Sequence, residues 1–306
     1  MLQLLADGLI VGSVIALGAV GLTLTYSILR FANFGQGEFL TWGAYLALSA
    51  LGFVLAWTGA ATMAPIEPFS FGWPLLAALI IAAALTAALA LALDWLLFRR
   101  LRHGAAITLV IASFGAALAL RNLLQFLWGT LPEYYTREIQ IAWRLVPRDV
   151  LGGMRITPDQ IAVIAMTALV VVAIHGLLTR TTLGRAMRAT AENPALARVA
   201  GVDVDAVIRA TWIIGAALAA VAGVFAGLVG QLRPGLGFEL LLPLFAAAIL
   251  GGIGSVWGAV LGGFIVGLAE SFSVPLVGAE YRAATAFVVL IAILLLRPAG
   301  LFGGRP

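Results

Sequence analysis

Long apolar runs separated by short polar breaks organise the whole chain. Runs at 4–29, 39–58, 74–98, 105–128, 160–178, 207–231, 241–270 and 283–296 carry the pattern, and the seventh is long and internally interrupted. A helix that crosses a hydrocarbon core of roughly 30 Å needs about 20 mostly apolar residues. The pattern therefore predicts an all-α, polytopic integral membrane protein with about eight transmembrane helices, some broken or re-entrant. They form a single transmembrane domain over residues 1–306. The first run has no basic segment before it and no small-residue cleavage site after it, so it is expected to stay as a membrane helix.

The arginines between runs set an expected orientation. Arg99, Arg100 and Arg102 follow the third run, and Arg180, Arg185, Arg188, Arg198 and Arg209 follow the fifth. An even number of crossings puts both groups on one side, eight arginines against the four (Arg137, Arg144, Arg148, Arg155) of the intervening polar stretch. The excess of positive charge in cytoplasmic loops then places a loop at about 179–208 in the cytoplasm and one at about 129–160 outside. The N-terminus lies outside if 31–38 is a complete turn between spans, and can lie inside if it is a break within the bilayer.

Composition narrows the chemistry. Apolar residues make up 62% and charged residues 10%, which cannot cover a water-facing surface. All 18 basic residues are arginine. Without lysine there is no phosphate-cradling P-loop and no Schiff base, so the chain cannot supply its own ATP hydrolysis by that motif. There is no cysteine, and the two histidines, His103 and His175, make no zinc ligand set. No catalytic constellation, metal site or cofactor is expected, and the arginines are read as topology signals, with no nucleic-acid partner. The expectation is a non-enzyme whose surroundings are lipid bilayer.

Three places break the apolar pattern. The first is Phe31-Ala32-Asn33-Phe34-Gly35-Gln36-Gly37-Glu38. It reads either as a non-helical segment beside a solute path, since irregular backbone at membrane depth is tolerated only inside protein or along a wet cavity, or as an interfacial turn with a solvated Glu38. The second is Leu250-Gly251-Gly252-Ile253-Gly254-Ser255-Val256-Trp257-Gly258, continuing through Gly262, Gly263 and Gly267, with Pro243 upstream of an interruption at Gly251-Gly252. Gly254, Gly258 and Gly262 recur every four residues and are predicted to share one helix face for close packing. Trp42-Gly43-Ala44 and Trp257-Gly258-Ala259 echo each other and hint at an internal repeat. The third is 182–203, where Leu183, Met187 and Ala191 stand at helical spacing, Asn193-Pro194 can end one helix and start another, and Gly201 can end the second. A basic helical hairpin built to dock on another protein is the reading favoured over a solvated loop. Among isolated polar residues, Arg121 and Asn122 read as interfacial, with a permeation path or an interhelical bond as the alternative. Asp94 and Glu270 read as solvated carboxylates at helix ends, and His175 as an interface residue.

The motifs Asn33-Phe34-Gly35-Gln36-Gly37-Glu38, Arg99-Arg100-Leu101-Arg102, Gly184-Arg185-Ala186-Met187-Arg188-Ala189 with Glu192-Asn193, and Ala248-Ile249-Leu250-Gly251-Gly252-Ile253-Gly254-Ser255 resemble those of the membrane permease subunit of branched-chain amino acid ABC transporters. The resemblance runs nearly end to end; one departure is Gly35-Gln36, where many members carry Ala-His. It implies an ATPase-coupling role for Gly184, Arg185, Arg188, Glu192, Asn193 and Gly201. It implies a translocation region at Asn33, Phe34, Gln36, Gly37, Glu38, Gly251, Gly252, Gly254 and Ser255. The partners it implies are a homologous permease or a second copy, two ATP-binding subunits and an extracytoplasmic solute-binding protein, at the bacterial inner membrane. Relatives of that family handle branched-chain amino acids, urea, short amides or aromatic acids, and the sequence does not choose among them. The alternative from another class is an ion-coupled secondary transporter or channel, which needs an intramembrane ionisable group; Glu38 and Arg121 are the candidates.

Overall fold

The computed structural model describes residues 1–58, 65–102, 104–136, 140–147, 153–297 and 299–302; His103, Arg137 and Arg148, named above, lie outside them. Its helices are α1 (Leu2–Leu29), α2 (Gly35–Thr58), α3 (Trp73–Leu93, continued by a π-helical turn Asp94–Phe98 into α4, Arg99–Leu101), α5 (Ala106–Trp128) and α6 (Pro158–Arg180). They continue with α7 (Thr182–Glu192), α8 (Pro194–Val199), α9 (Val204–Val229), α10 (Leu236–Gly251), α11 (Val256–Val277) and α12 (Arg282–Leu296). Among the described residues eight helical segments are long and apolar enough to cross a membrane, and they match the eight predicted runs. The seventh run divides into α10, too short at 16 residues (about 24 Å) to count among those eight, and α11. The polar stretch before α6 adds a small antiparallel hairpin, β1 (Trp143–Val146) with β2 (Met154–Ile156).

Local chemistry sets the helix ends. Thr157 and Gln160 form a reciprocal capping box at the start of α6, with Pro158 behind it. Thr181, Asn193, Asp203 and Ser255 each accept a hydrogen bond from a backbone N–H in the first turn of the helix they precede. One end of the bundle gathers the end of α1, the α4–α5 corner, the α7–α8 hairpin and the α10–α11 link. There Arg102 reaches Asp205 at the start of α9 (3.6 Å) and Leu301 N–H donates to the carbonyl of Leu250 (2.8 Å). The far end holds the β-hairpin and the α2–α3 connection. Buried Asp159 ties them, accepting from the backbone N–H of Ser70 (2.9 Å), from its hydroxyl, and from Gln140 Nε2 (2.9 Å). Tyr135 donates to the carbonyl of Ala44 (2.8 Å); burial, with Tyr45 nearby, pushes its phenol well above its ordinary range and keeps it a donor.

Helix α1 is the axis of the bundle, with 89% of its apolar window buried against 6% for α12. It packs along α11 through small residues. A Cβ on Gly12 would stand 2.9 Å from Phe264 Cα, and one on Gly263 would stand 2.5 Å from Ala16 Cα. Close backbone approach of this kind is how membrane helices gain dispersion energy without a hydrophobic driving force between them.

Three expectations differ from the structure. Gly254 does not share a face with Gly258 and Gly262, because it lies in the link before α11 with φ 91°, and its N–H donates to Thr23 Oγ1 (2.8 Å). Gly258 and Gly262 alone press on α10, against the backbones of Gly251 and Ala247. Asp94 is not a solvated end residue. It is 5% exposed inside the continuous α3–α4 segment and is held at 2.5 and 2.6 Å by Arg102. The Trp-Gly-Ala echo has no common register, since Trp42 lies in the interior of α2 and Trp257 in the first turn of α11.

The α10–α11 contact yields a test. A side chain at position 258 meets backbone, which no rotamer change relieves, so Gly258→Leu is expected to cost about 1–3 kcal/mol and to lower the yield of folded protein. Gly52→Ala, where a Cβ meets nothing within 4 Å, serves as the control and is expected to leave yield unchanged. Thermal unfolding in detergent reads the difference, and equal stability of the two variants would refute the packing account.

Candidate functional site

The first break is shorter than its composition suggests. Gly35, Gln36, Gly37 and Glu38 form the opening turn of α2, and all four are buried; the irregular backbone is confined to 30–34. Asn33 makes this possible: its Oδ1 accepts from Gly35 N–H (3.0 Å) and its carbonyl from Gln36 N–H (3.3 Å). Ser113 Oγ on α5 accepts from Phe34 N–H (3.2 Å). Phe34 N–H and the first two donors of α2, Gly35 and Gln36 N–H, are thus met by protein rather than water.

The turn begins at membrane depth. Gln36 Nε2 donates to the Gly215 carbonyl of α9 (3.1 Å), and a Cβ on Gly21 of α1 would touch both groups. Gly21 precedes the end of α1 by eight residues, about 12 Å of helix rise. The chain therefore leaves α1 at one end of the bundle, climbs back through 30–34, and starts α2 inside the layer. On its other side Gly37 abuts the backbone of Gly237 at the start of α10, and Thr41 Oγ1 accepts from Gly237 N–H (2.9 Å). Phe34 packs between Phe114 of α5 (5.9 Å, edge-on) and Phe245 of α10 (5.3 Å).

The interfacial-turn alternative for Glu38 does not hold: Glu38 is 2% exposed and its Oε2 has no hydrogen-bond partner among the described residues. A carboxylate in the first turn of a helix meets the positive end of the helix dipole. The other charge that acts on it is Arg121 of α5, whose guanidinium lies 5.1 Å from the centre of the Phe238 ring on α10. Arg121 is thus engaged between helices, while Asn122 bonds its own helix at the Leu118 carbonyl (2.7 Å).

The second break, 252–255, joins α10 to α11. Gly252 (φ 94°) and Gly254 take left-handed backbone that side chains resist, and Ser255 Oγ caps α11 by accepting from Gly258 N–H (3.0 Å). Gly251 and Gly252 lie under the C-terminal segment, where Phe302 N–H donates to the Gly251 carbonyl (3.1 Å). Beside the link, Trp257 Nε1 donates to His175 Nδ1 of α6 (3.0 Å).

In the hairpin, Asn193 separates α7 from α8 and caps the second through Ala195 and Leu196 N–H (3.0 and 3.1 Å). Gly201, at φ 84°, turns the chain toward α9. Gly184 and Met187 are buried; a Cβ at 184 would collide with the carbonyls ending α6, and Arg188 Nη1 donates to one of them, Leu178 O, at 2.5 Å. Arg185 and Glu192 are exposed, beside Leu196 and Val199, which are 65% and 86% exposed.

Sequence reasoning did not single out Arg30 as functional. It is the one non-glycine residue with positive φ (59°) among the described residues. Its guanidinium donates to the carbonyls of Ala191 (2.5 Å) and Glu192 (3.2 Å), which end α7, and a cation there also meets the negative end of the helix dipole. One residue therefore joins the hairpin to the segment leading into α2. The only sequence signal was an arginine beside a break. Among the described residues no three His, Asp or Glu side chains are placed to hold a metal ion.

Residues 4–296 match a family model described as the permease component of the branched-chain amino acid transport system. The chain is similar to the high-affinity branched-chain amino acid transport system permease protein BraD of Pseudomonas aeruginosa, 36% identical over all of this chain and 96% of the relative. It is 33% identical to LivH, the permease protein of the same description from Escherichia coli K12, at the same coverage. A probable branched-chain amino acid transport permease protein LivH of Methanocaldococcus jannaschii is 28% identical over 98% of the chain and 92% of the relative. No solved structure matches. With a family match from residue 4 to residue 296 and relatives aligned over the whole chain, the protein belongs to the permease-component family of branched-chain amino acid transport systems.

Proposed function

We propose that the chain is one half of the membrane pathway of an ATP-driven importer that carries a branched-chain amino acid, or a close relative of one, across the bacterial inner membrane. The second half is a homologous permease or another copy of this chain. Two separate ATPase subunits dock on the α7–α8 hairpins from the cytoplasm, and a solute-binding protein delivers cargo to the far end. The observation that carries this reading is the Arg30 bridge, because it connects an exposed hairpin carrying Arg185, Glu192, Leu196 and Val199 to a helix that begins about 12 Å inside the layer. A movement of the hairpin imposed by the ATPases is passed to Asn33, Phe34 and the first turn of α2, where Gln36, Gly37 and Glu38 sit against α9 and α10. The link at Gly251, Gly252, Gly254 and Ser255 is the second flexible joint along the same end. Opening and closing of the pathway between the two halves follows from such a lever, with the energy coming from chains that possess the lysine-bearing nucleotide site this one lacks.

The purified subunit is expected to hydrolyse no ATP, and uptake into liposomes is expected to require the ATPase subunits. Uptake by this subunit alone, driven by a proton or sodium gradient, would instead establish the ion-coupled alternative. Within the complete complex, Glu192→Ala alters the proposed docking face. Gly201→Val places a β-branched residue in left-handed backbone, at a cost of about 1–2 kcal/mol. Both are expected to bring substrate-stimulated ATPase activity toward its basal rate and to lower uptake in parallel, with insertion unchanged.

Arg30→Ala separates docking from transmission. The ATPases are expected to remain bound in pull-down while uptake falls at least fivefold and ATPase stimulation is lost. Wild-type uptake in this variant would remove the bridge from the coupling path.

A further inference from the structure

At the far end, away from the hairpin, a cavity of about 550 Å³ opens between α1, α9, α10, α11 and the start of α12. This lies within the range of small-molecule sites, about 300–1,000 Å³. Its walls include Val11, Val14, Leu240 and Pro243, together with Glu270 and Arg282.

Glu270, expected to be a solvated end residue, lies in the interior of α11, seven residues before its last, about 10 Å of rise below the helix end. It is 5% exposed, and among the described residues no donor reaches its carboxylate. A buried carboxylate without hydrogen-bond donors is costly to maintain, and this one faces a cavity. Arg282 begins α12 at the mouth. Its charge acts on Glu270, yet the two form no ion pair, and the Arg282 guanidinium is free among the described residues. The other charged groups on the lining lie at the mouth: Arg233 and Glu239, closed on each other at 3.0 Å, and Glu280, which is exposed to solvent two residues before Arg282 and forms no ion pair among the described residues.

From the solvated charges of the mouth inward, the order is the Arg282 guanidinium, the buried Glu270 carboxylate and an apolar floor. Gly12 of α1 stands against Phe264, so Val11 and Val14 lie deeper in the bundle than Glu270. An α-amino acid carries three matching groups on one carbon: a carboxylate, an ammonium and a side chain. We propose that this cavity binds one zwitterionic α-amino acid with an aliphatic side chain, its carboxylate toward Arg282, its ammonium on Glu270 and its side chain against Val11, Val14, Leu240 and Pro243. This rests on the amino acid reading of the cargo given above, and it adds a second place, within a single permease chain, where the solute is held. A lipid headgroup fits less well. An ethanolamine amine placed on Glu270 is terminal, so nothing apolar would extend beyond it to the floor.

The test is equilibrium binding of tritiated L-leucine to the purified full-length chain in phosphatidylcholine nanodiscs, without ATPase or binding protein. Saturable binding is expected. Isoleucine and valine should displace it, whereas isoamylamine, which lacks the carboxylate, and 4-methylpentanoate, which lacks the ammonium, should not. Glu270→Gln and Arg282→Gln are each expected to weaken binding at least tenfold.

Because Glu270→Gln removes a buried group and can disturb folding, a second readout uses the absence of native cysteine. Val11→Cys should react with a small maleimide, and leucine but not isoamylamine should protect it. Binding that is unchanged in both charge variants, absence of leucine binding, or protection of Val11→Cys by phosphatidylethanolamine nanodiscs but not by leucine would each overturn the site. If binding fails while the complete transporter still takes up leucine, the cavity proposal alone is wrong. If the complete transporter takes up no amino acid, the reading it rests on is wrong.

Discussion

Inside a hydrocarbon layer a backbone N–H or carbonyl that leaves its helix finds no water, so every interruption at depth must be met by another part of the same protein. This constraint explains the most unusual part of the molecule. Helix α2 starts well below the end of α1, and its first donors are met by Asn33, while Phe34 N–H is met by Ser113. The link at 252–255 obeys the same rule: Thr23 receives Gly254 N–H, Ser255 receives Gly258 N–H, and residues 301 and 302 cover the last carbonyls of α10. Each break is therefore cross-wired to distant elements, which makes it a place where movement of one element is felt by another.

Glycine is the second half of the same arrangement. Polar cross-links at depth are possible only if helices approach closely enough for a hydroxyl or amide to reach a neighbouring backbone. Gln36 reaches Gly215 because Gly21 of α1 leaves room at that level, and Thr41 reaches Gly237 because Gly37 and Gly237 face each other without side chains. In water such contacts would add little to a hydrophobic core. In lipid, close packing and satisfied polar groups are the main sources of helix association.

What the sequence made legible follows from this physics. Apolar runs are long and self-averaging, so seven of the eight crossings were read with boundaries shifted by a few residues, the seventh run having merged α10 with α11, and the helical hairpin was visible through Asn193-Pro194 and Gly201. The breaks were visible as breaks, but not their extent. Gly35-Gln36-Gly37-Glu38 has loop composition, and it is helical because Asn33 caps it and Gly237 packs on it, both facts of tertiary structure. Asp94 and Glu270 were placed at helix ends because a charged residue marks where an apolar run stops. Hydropathy cannot tell a helix that ends from one that continues with its charge facing Arg102 or a cavity. Gly254 matched a four-residue spacing that has meaning only within one helix, and α11 starts two residues later. Arg30 carried no local signal at all, since its partners lie 161 and 162 residues away.

Helix α1 connects the two ends at which function is proposed. Its last residues lead through Arg30 to the α7 carbonyls, and its Ile10, Val11 and Val14 form part of the wall of the cavity that holds Glu270. Along its length it is held to α11 by close contacts at Gly8, Gly12 and Ala16 that bring the two backbones together. A helix held that tightly cannot bend locally to absorb a displacement at one end, because close-packed interiors respond to strain by shifting whole elements. In the proposed coupling, a push on the hairpin has two routes: through segment 30–34 to the start of α2, or through α1 and α11 moving together toward the far-end cavity. The first runs through single hydrogen bonds at Asn33 and Phe34 and the second through backbone contacts at the glycine seam, so the two proposed routes differ in stiffness.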